Sequence, residues 1–363
     1  MKKLLLTGIG LLCSWQIFAQ NAPFPKHYLC YRTSTPVKID GHLSENSWKN
    51  AEWTEKFVDI EGDKKPAPAQ DTKIKMLWDD HYLYIAAVLE EKDIWAYQNK
   101  KDQIVFLEND FEVFLDPDGD THNYFELEIN ALNNTFDLFL SKPYRNGGPA
   151  LISWDVKGLK SAVSIEGTVN NPSDKDKRWT IEMAIPFSSV TLGTKSGEIP
   201  KDRSFWKANF SRVEWQTKVV NGKYIRLENP ENHQLLPENN WVWTPQGAID
   251  MHKPERWGYL IFSTNEAGKP ASAFEIPYEE KMRAFIWDLY YKEQAFFHEN
   301  KRFTQDIKEL GLSQNDIMID SFSNIITPEA SAHSFIITLD CPDKNLKVSV
   351  NNDSKINTSF TQP

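Results

Sequence analysis

Apolar and polar positions trade places at every second residue through most of this chain. The runs KIKMLW (73–78), HYLYIAAVLE (81–90), FEVFL (111–115), YFELEIN (124–130) and TFDLFL (135–140) carry that period, as do WTIEMAIPF (179–187), FWKANFSRVEW (205–215) and YLIFS (259–263). A period of two sets successive side chains on opposite sides of an extended backbone, so each run is predicted to be a β-strand. Turn clusters such as WDD, DPDGD, NPSDKDKR and KSGEIPKD separate them. Eight or more short strands with no helix between them predict a mainly β protein built as an antiparallel β-sandwich.

The texture changes after NEAGKPAS (265–272). Met282, Phe285, Ile286, Leu289, Tyr290, Phe296 and Phe297 recur near helical spacing, and Gly311 suits a C-terminal stop, so a helix is predicted near 279–310. Strand-like runs IMIDSF, SFIITLD and LKVSVN follow. The expected organisation is a sandwich over 21–265 and a small α+β appendage over 266–363, small enough to need packing against the sandwich.

Residues 1–20, MKKLLLTGIGLLCSWQIFAQ, combine a basic start at Lys2 and Lys3, an apolar stretch from Leu4 to Leu12 and small Ala19, the build of a secretory signal peptide cut near Ala19 or Gln20. Export to the periplasm, cell surface or medium is the expected localisation. No later stretch approaches the ~18 apolar residues of a membrane span. In an oxidising compartment Cys30 and Cys341 either form a disulfide joining the two ends of the chain or stay as two separate buried thiols.

Composition narrows the partners. The 363 residues carry a net charge of −10 with basic and acidic positions intermixed and no Lys/Arg cluster, which argues against nucleic acid and anionic membrane. Trp, Tyr and Phe number 13, 12 and 21, many among polar neighbours, which suits a surface that stacks on flat ligands.

Candidate chemistry concentrates in FEVFLDPDGDTHNYFELEIN (111–130). Asp116, Asp118 and Asp120 fit the first three ligand positions of an EF-hand, but Gly119 falls at position four instead of six and Leu127 stands at position twelve, where the bidentate glutamate would be, so that motif is excluded. Two readings remain open: a hairpin turned by Pro117 and Gly119, and a calcium site of another geometry with Asp116, Asp118 and Asp120 as metal ligands. In YFELEIN, Phe125, Leu127 and Ile129 point one way, and Tyr124, Glu126, Glu128 and Asn130 the other. The acid row reads as a ligand surface, as a solvated face, or as acids neutralised from a neighbouring strand by Arg212. Carboxylates two apart on a strand lie ~6.5 to 7 Å apart, within the range glycosidases use, so a glycoside hydrolase acting through Glu126 and Glu128 is an alternative.

Several separated motifs occur in the order seen in one family. VKIDGHLSENSWKNAEW (37–53), MLWDDHYLYIAAVLEE (76–91), NDFEVFLDPDGDTHNYFELEIN (109–130), WTIEMAIPF (179–187), NFSRVEW (209–215) and MHKPERWGYLIF (251–262) resemble carbohydrate-binding module family 9-like proteins of secreted, Bacteroidetes type, over roughly residues 30 to 265. The resemblance implies a family 9 β-sandwich that binds oligo- or polysaccharide ends in polysaccharide breakdown, often carries structural calcium and accompanies glycoside hydrolases, here expected without a catalytic domain of its own. It also implies a clamp of two tryptophans with an arginine. Here those positions fall near Phe106, Met251 and Glu128, so the clamp is not reproduced as such. Trp241 and Trp243, on one face of an extended NWVWTPQG segment, supply a stacking platform instead, with Trp95 and Phe106 as further stacking rings and Glu126, Glu128, Asn130 and Arg212 as hydrogen-bonding groups. The same sandwich superfamily also resembles a haem-binding dehydrogenase subunit, but Met251 and His252, as sequence neighbours, project to different sides and do not ligate one iron together. A structural or protein-binding surface component is the third class.

Overall fold

A computed structural model describes residues 25–193, 199–270 and 274–360, so the signal segment lies outside the described residues. The protein is mainly β. Eleven strands follow one hydrogen-bonded path, from Ala150–Leu151 through Thr135–Leu140, Tyr124–Asn130, Asp110–Asp116, Phe205–Glu214, Gly258–Glu266, His27–Arg32, Thr72–Trp78, Tyr82–Glu90 and Arg178–Pro186 to Lys160–Glu166. Asn239–Val242 and Val58–Asp59 extend the sheet beside Phe205–Glu214. Pairing is antiparallel except around His27–Arg32, which runs parallel to both of its neighbours.

The path closes into a sandwich because its two halves carry complementary apolar faces. Phe111, Val113 and Leu115 align with Ile129, Leu127 and Phe125 on the adjacent strand, and this patch shares one core with Met76, Ile85 and Met183 from the opposite half. Edge-on contacts of Trp78 with Phe262 (5.5 Å) and of Trp206 with Phe262 (5.2 Å) fill the centre. The strands Asp110–Asp116 and Tyr124–Asn130 are buried at every residue, so the acid-bearing face is covered rather than solvated.

The C-terminal unit has its own core. The helix Tyr278–Asn300 packs on a five-stranded antiparallel meander, Asp316–Ile319 through Ile356–Phe360. Its inner face, Met282, Ile286, Leu289 and Tyr290, meets Phe335, Ile337, Leu339, Val348 and Val350. Glu279 and Glu280 suit its positive N-terminal end. The helix stops ten residues before the predicted 310, because Lys301 turns left-handed (φ 57°) and its amide closes on the Phe297 carbonyl. Cys30 is buried in the sandwich core and Cys341 in this second core, and both thiols are free, so of the two alternatives the structure has two separate buried thiols and not the disulfide. Each acts as a small apolar filler.

Buried Glu293 tests this second core. Its Oε2 accepts the Thr304 amide (3.2 Å), its Oε1 has no partner, and burial pushes the carboxyl up to about 7. A raised carboxyl contributes stability below about pH 4.5 that is lost as pH rises through about 7, since the native state then binds more protons than the unfolded one. Glu293→Gln is therefore expected to stabilise the protein by ~2 kcal/mol at pH 8 and by little at pH 4.5, read from denaturant melts at both pH values.

Candidate functional site

The site grows from strand register. Glu112 pairs with Glu128, Phe114 with Glu126 and Asp110 with Asn130, so two adjacent strands send four carboxyl groups to one face. That face is collared by a second apolar cluster, with Val105, Phe114, Tyr124, Phe136, Met251 and Trp257. The loop before Asp110 binds down onto it, the Phe106 amide donating to Glu128 Oε2 (3.2 Å). At the other end, His252 Nε2 stands 4.0 Å from Glu126 Oε2, its Nδ1 meets the Tyr124 hydroxyl (2.9 Å), and its ring is 4.3 Å from that of Tyr144.

Two rings stay open at the ends of this row: Phe106 is 38% exposed and Tyr144 46%. The acids between them hold strained charge. Burial, then the charge of Glu112, lifts Asp110 well above the usual carboxylate range; burial pushes Glu112 up to about 7, partly offset by the Ser211 hydroxyl. Burial and then neighbouring acids, Glu112 for Glu126 and Asp110 for Glu128, lift those two as well. His252 does not neutralise them, because desolvation and the nearby Arg145 lower it to about 4. The face is thus rich in acceptor oxygens, poor in cations, and bracketed by aromatic rings.

The structure separates the other sequence candidates from this face. Arg212 pairs in register with Phe111, so it points into the sandwich on the opposite side of the sheet from Glu126 and Glu128. There it is fully buried, donating to Glu91 (2.6 Å), Glu214 (2.9 Å), the Glu90 carbonyl (2.8 Å) and Thr72 (3.2 Å). Trp241 lies across from it with its ring 5.2 Å from the guanidinium. Trp243 is sealed in the core beside Phe210, so tightly that a Cβ on Gly258 would come within 2.5 Å of its ring. The expected tryptophan platform is therefore not presented to solvent, because the extended segment pairs with the sheet and both rings plug the core. Trp95 is buried with Val213, Trp215 and Tyr224. From that cluster Trp215 Nε1 donates to the Phe106 carbonyl (2.9 Å), fixing the loop that carries the exposed ring. Asn130 shares the acid face, but its side chain binds the Gln98 carbonyl (2.7 Å) and the amides of Leu132 (3.0 Å) and Asn134 (3.1 Å), a turn-holding role.

The aspartate loop is a docking element. Asp116 caps its own turn by accepting the amides of Gly119 (3.0 Å) and Thr121 (2.9 Å). Asp120 accepts the His122 amide and lies 3.4 Å from Lys355 of the C-terminal unit. Thr121 donates to the Ser354 carbonyl (2.5 Å), and Arg283 of the helix donates to the Gly119 carbonyl (3.0 Å). The ligand atoms of Asp116, Asp118 and Asp120 lie within 4.8 Å of one another, close enough for a metal, but the loop's amides and Lys355 already serve Asp116 and Asp120.

Sequence reasoning missed Asp110, Glu112, Tyr144 and His252 as members of one surface. The signal for the first two was present: NDFEVFLD alternates as YFELEIN does, and a hairpin through DPDGD puts the two acid rows side by side.

Residues 39–218, just under half of the chain, match the family model described as carbohydrate family 9 binding domain-like. Among curated proteins, endo-1,4-beta-xylanase A of Thermoanaerobacterium saccharolyticum is 29% identical over 157 residues, 43% of this chain and 11% of that protein. Exoglucanase XynX of Acetivibrio thermocellus is 30% identical over 118 residues, 32% of this chain and 9% of that protein. The chain thus matches about a tenth of the length of these relatives. A family 9 carbohydrate-binding module from Caldicellulosiruptor kristjanssonii, solved with cellotriose, is similar at a TM-score of 0.39 and 15% identity, covering 68% of this chain and 99% of that one.

Proposed function

We propose that the protein binds an oligo- or polysaccharide on the carboxylate face between Phe106 and Tyr144, without cleaving it. One observation carries the reading: a row of buried acceptor oxygens, Glu112, Glu126 and Glu128, ends at both sides in an exposed aromatic ring. Sugar hydroxyls donate to carboxylates, and the weakly apolar faces of a pyranose stack on rings, so the two features are complementary to one ligand class. The rings here are Phe106 and Tyr144 rather than the tryptophans the sequence suggested. Export through residues 1–20 and action beside glycoside hydrolases complete the proposal, supported by the signal-like segment and by the xylanase and exoglucanase relatives. Intact mass of protein expressed with its full N-terminus should show cleavage near Ala19; an uncleaved chain refutes export.

Calorimetric titration with a panel that includes cello- and xylo-oligosaccharides tests the binding claim. Phe106→Ala and Tyr144→Ala are each expected to weaken binding by ~1 to 3 kcal/mol while the melting temperature stays close to that of the wild type, because both rings are partly solvent-facing. Binding that survives both changes refutes the site. Release of reducing ends that disappears in Glu126→Gln would instead favour a hydrolase.

A further inference from the structure

The two ends of the carboxylate face are held from different parts of the chain. At the Phe106 end the anchor is internal to the sandwich, since Trp215 Nε1 donates to the Phe106 carbonyl (2.9 Å). At the Tyr144 end the anchors come from the C-terminal unit. Tyr144 opens a three-residue turn, Tyr144–Asn146, and that unit binds the turn at both of the residues that follow. The Asn146 side chain donates to the Tyr290 hydroxyl (3.2 Å) and the Asn352 carbonyl (3.1 Å), while its Oδ1 accepts the Ser354 hydroxyl (2.7 Å). Arg145 grips both oxygens of Glu255 (3.1 and 2.9 Å) and donates to the His252 carbonyl (3.2 Å).

The helix Tyr278–Asn300 closes the other side of this pair. The Tyr291 hydroxyl donates to Glu255 Oε1, and the rings of Trp287 and Tyr290 lie 5.9 Å from the Arg145 guanidinium. Desolvation alone would raise the Glu255 carboxyl, yet Arg145 and then the Tyr291 hydroxyl hold it below the usual range. The pair is therefore charged, and its hydrogen bonds are of the stronger, charge-assisted kind.

We propose that Tyr290 and Tyr291 are positioning residues for the ligand face: through Asn146 and Glu255 they fix the turn that bears Tyr144 and the loop that bears His252. The C-terminal unit is then part of the binding site, acting on the ligand only through these two rings, and the proposal rests on the carbohydrate face argued above. An exposed ring binds well when its backbone is already in place, because ordering a loop on binding is subtracted from affinity. Tyr144 is 46% exposed and takes its orientation from its turn and from the His252 ring 4.3 Å away, both of which this unit holds. The supporting residues lie past residue 218, where the match to the family model ends, so the support comes from sequence beyond the matched segment.

The test is made on the full chain with Tyr290→Phe and Tyr291→Phe combined, which removes two hydroxyls and keeps both rings. Its first arm needs no sugar. Amide hydrogen exchange read by mass spectrometry should speed up in the segments 143–148 and 250–256 and stay as in the wild type around Phe106, with a cooperative melt close to that of the wild type. The second arm is calorimetric titration with the tightest-binding oligosaccharide of the panel. The double variant should bind about three- to tenfold more weakly, roughly the worth of one net hydrogen bond. That loss should vanish in a Tyr144→Ala background and persist in a Phe106→Ala background, a pattern that general destabilisation does not produce. Unchanged exchange in both segments, or an equal loss in the two backgrounds, overturns the proposal. Wild-type binding that ignores Tyr144→Ala refutes the face itself and this proposal with it, whereas failure of the proposal alone leaves Tyr144→Ala weakening binding and the double variant without effect. Should the double variant fail to melt cooperatively, Tyr291→Phe alone carries both arms.

Discussion

Trp243→Ala is expected to cost about 3 to 5 kcal/mol and to leave the sandwich barely folded at room temperature. The ring is completely buried, stands 5.9 Å from that of Phe210, and occupies the space that a side chain at position 258 would need. Truncation leaves a cavity the size of an indole where two halves of the sandwich meet, and a packed β core relaxes into such a void only in part. Urea melts of the wild type, Trp243→Phe and Trp243→Ala should rank in that order. A Trp243→Ala protein with an unchanged midpoint would mean that the ring is not a core element, and would return it to the list of stacking residues.

Arg212→Met carries the second large effect. Its guanidinium is the shared partner of Glu91 and Glu214 and also satisfies the Glu90 carbonyl, all inside the protein. Removing one partner of a buried ion pair strands the other charges, at a cost of about 3 to 5 kcal/mol. The loss should shrink as pH falls, because burial already holds the Glu214 carboxyl well above the usual range, and should shrink further when Glu91→Gln and Glu214→Gln are added. Carbohydrate binding by whatever fraction remains folded should be unchanged, because Arg212 faces away from Glu126 and Glu128. A stable Arg212→Met protein that has lost binding would place the arginine in the ligand site after all.

Much of this fold was legible because a period of two is a local property of the chain. KIKMLW, YFELEIN and WTIEMAIPF became strands with their apolar residues inward, and the helical spacing after residue 278 became the helix Tyr278–Asn300. What alternation does not reveal is which neighbour covers the second face. Glu126 and Glu128 alternate as a solvated row would, yet the loops carrying Val105 and Met251 close over them. Arg212 illustrates the same limit. Its distance in sequence from Glu128 says nothing of parity, and only the register of Phe205–Glu214 against Asp110–Asp116 puts it on the far side of the sheet. Trp241 and Trp243 share a face as expected, but that face is the core, since Asn239–Val242 adds to the sheet edge instead of standing as a free loop. The acid pair Asp110 and Glu112 was recoverable from the hairpin alone; Tyr144 and His252 were not, because they arrive from segments more than a hundred residues apart.

The central claim is that ligand sits on the carboxylate face between Phe106 and Tyr144. A crystal structure of the protein soaked with the tightest-binding oligosaccharide of the panel tests it most directly. The account predicts a sugar ring stacked on Phe106 or Tyr144 with hydroxyls donating to Glu112 or Glu126. Sugar bound elsewhere, with this face unchanged and empty, would contradict it.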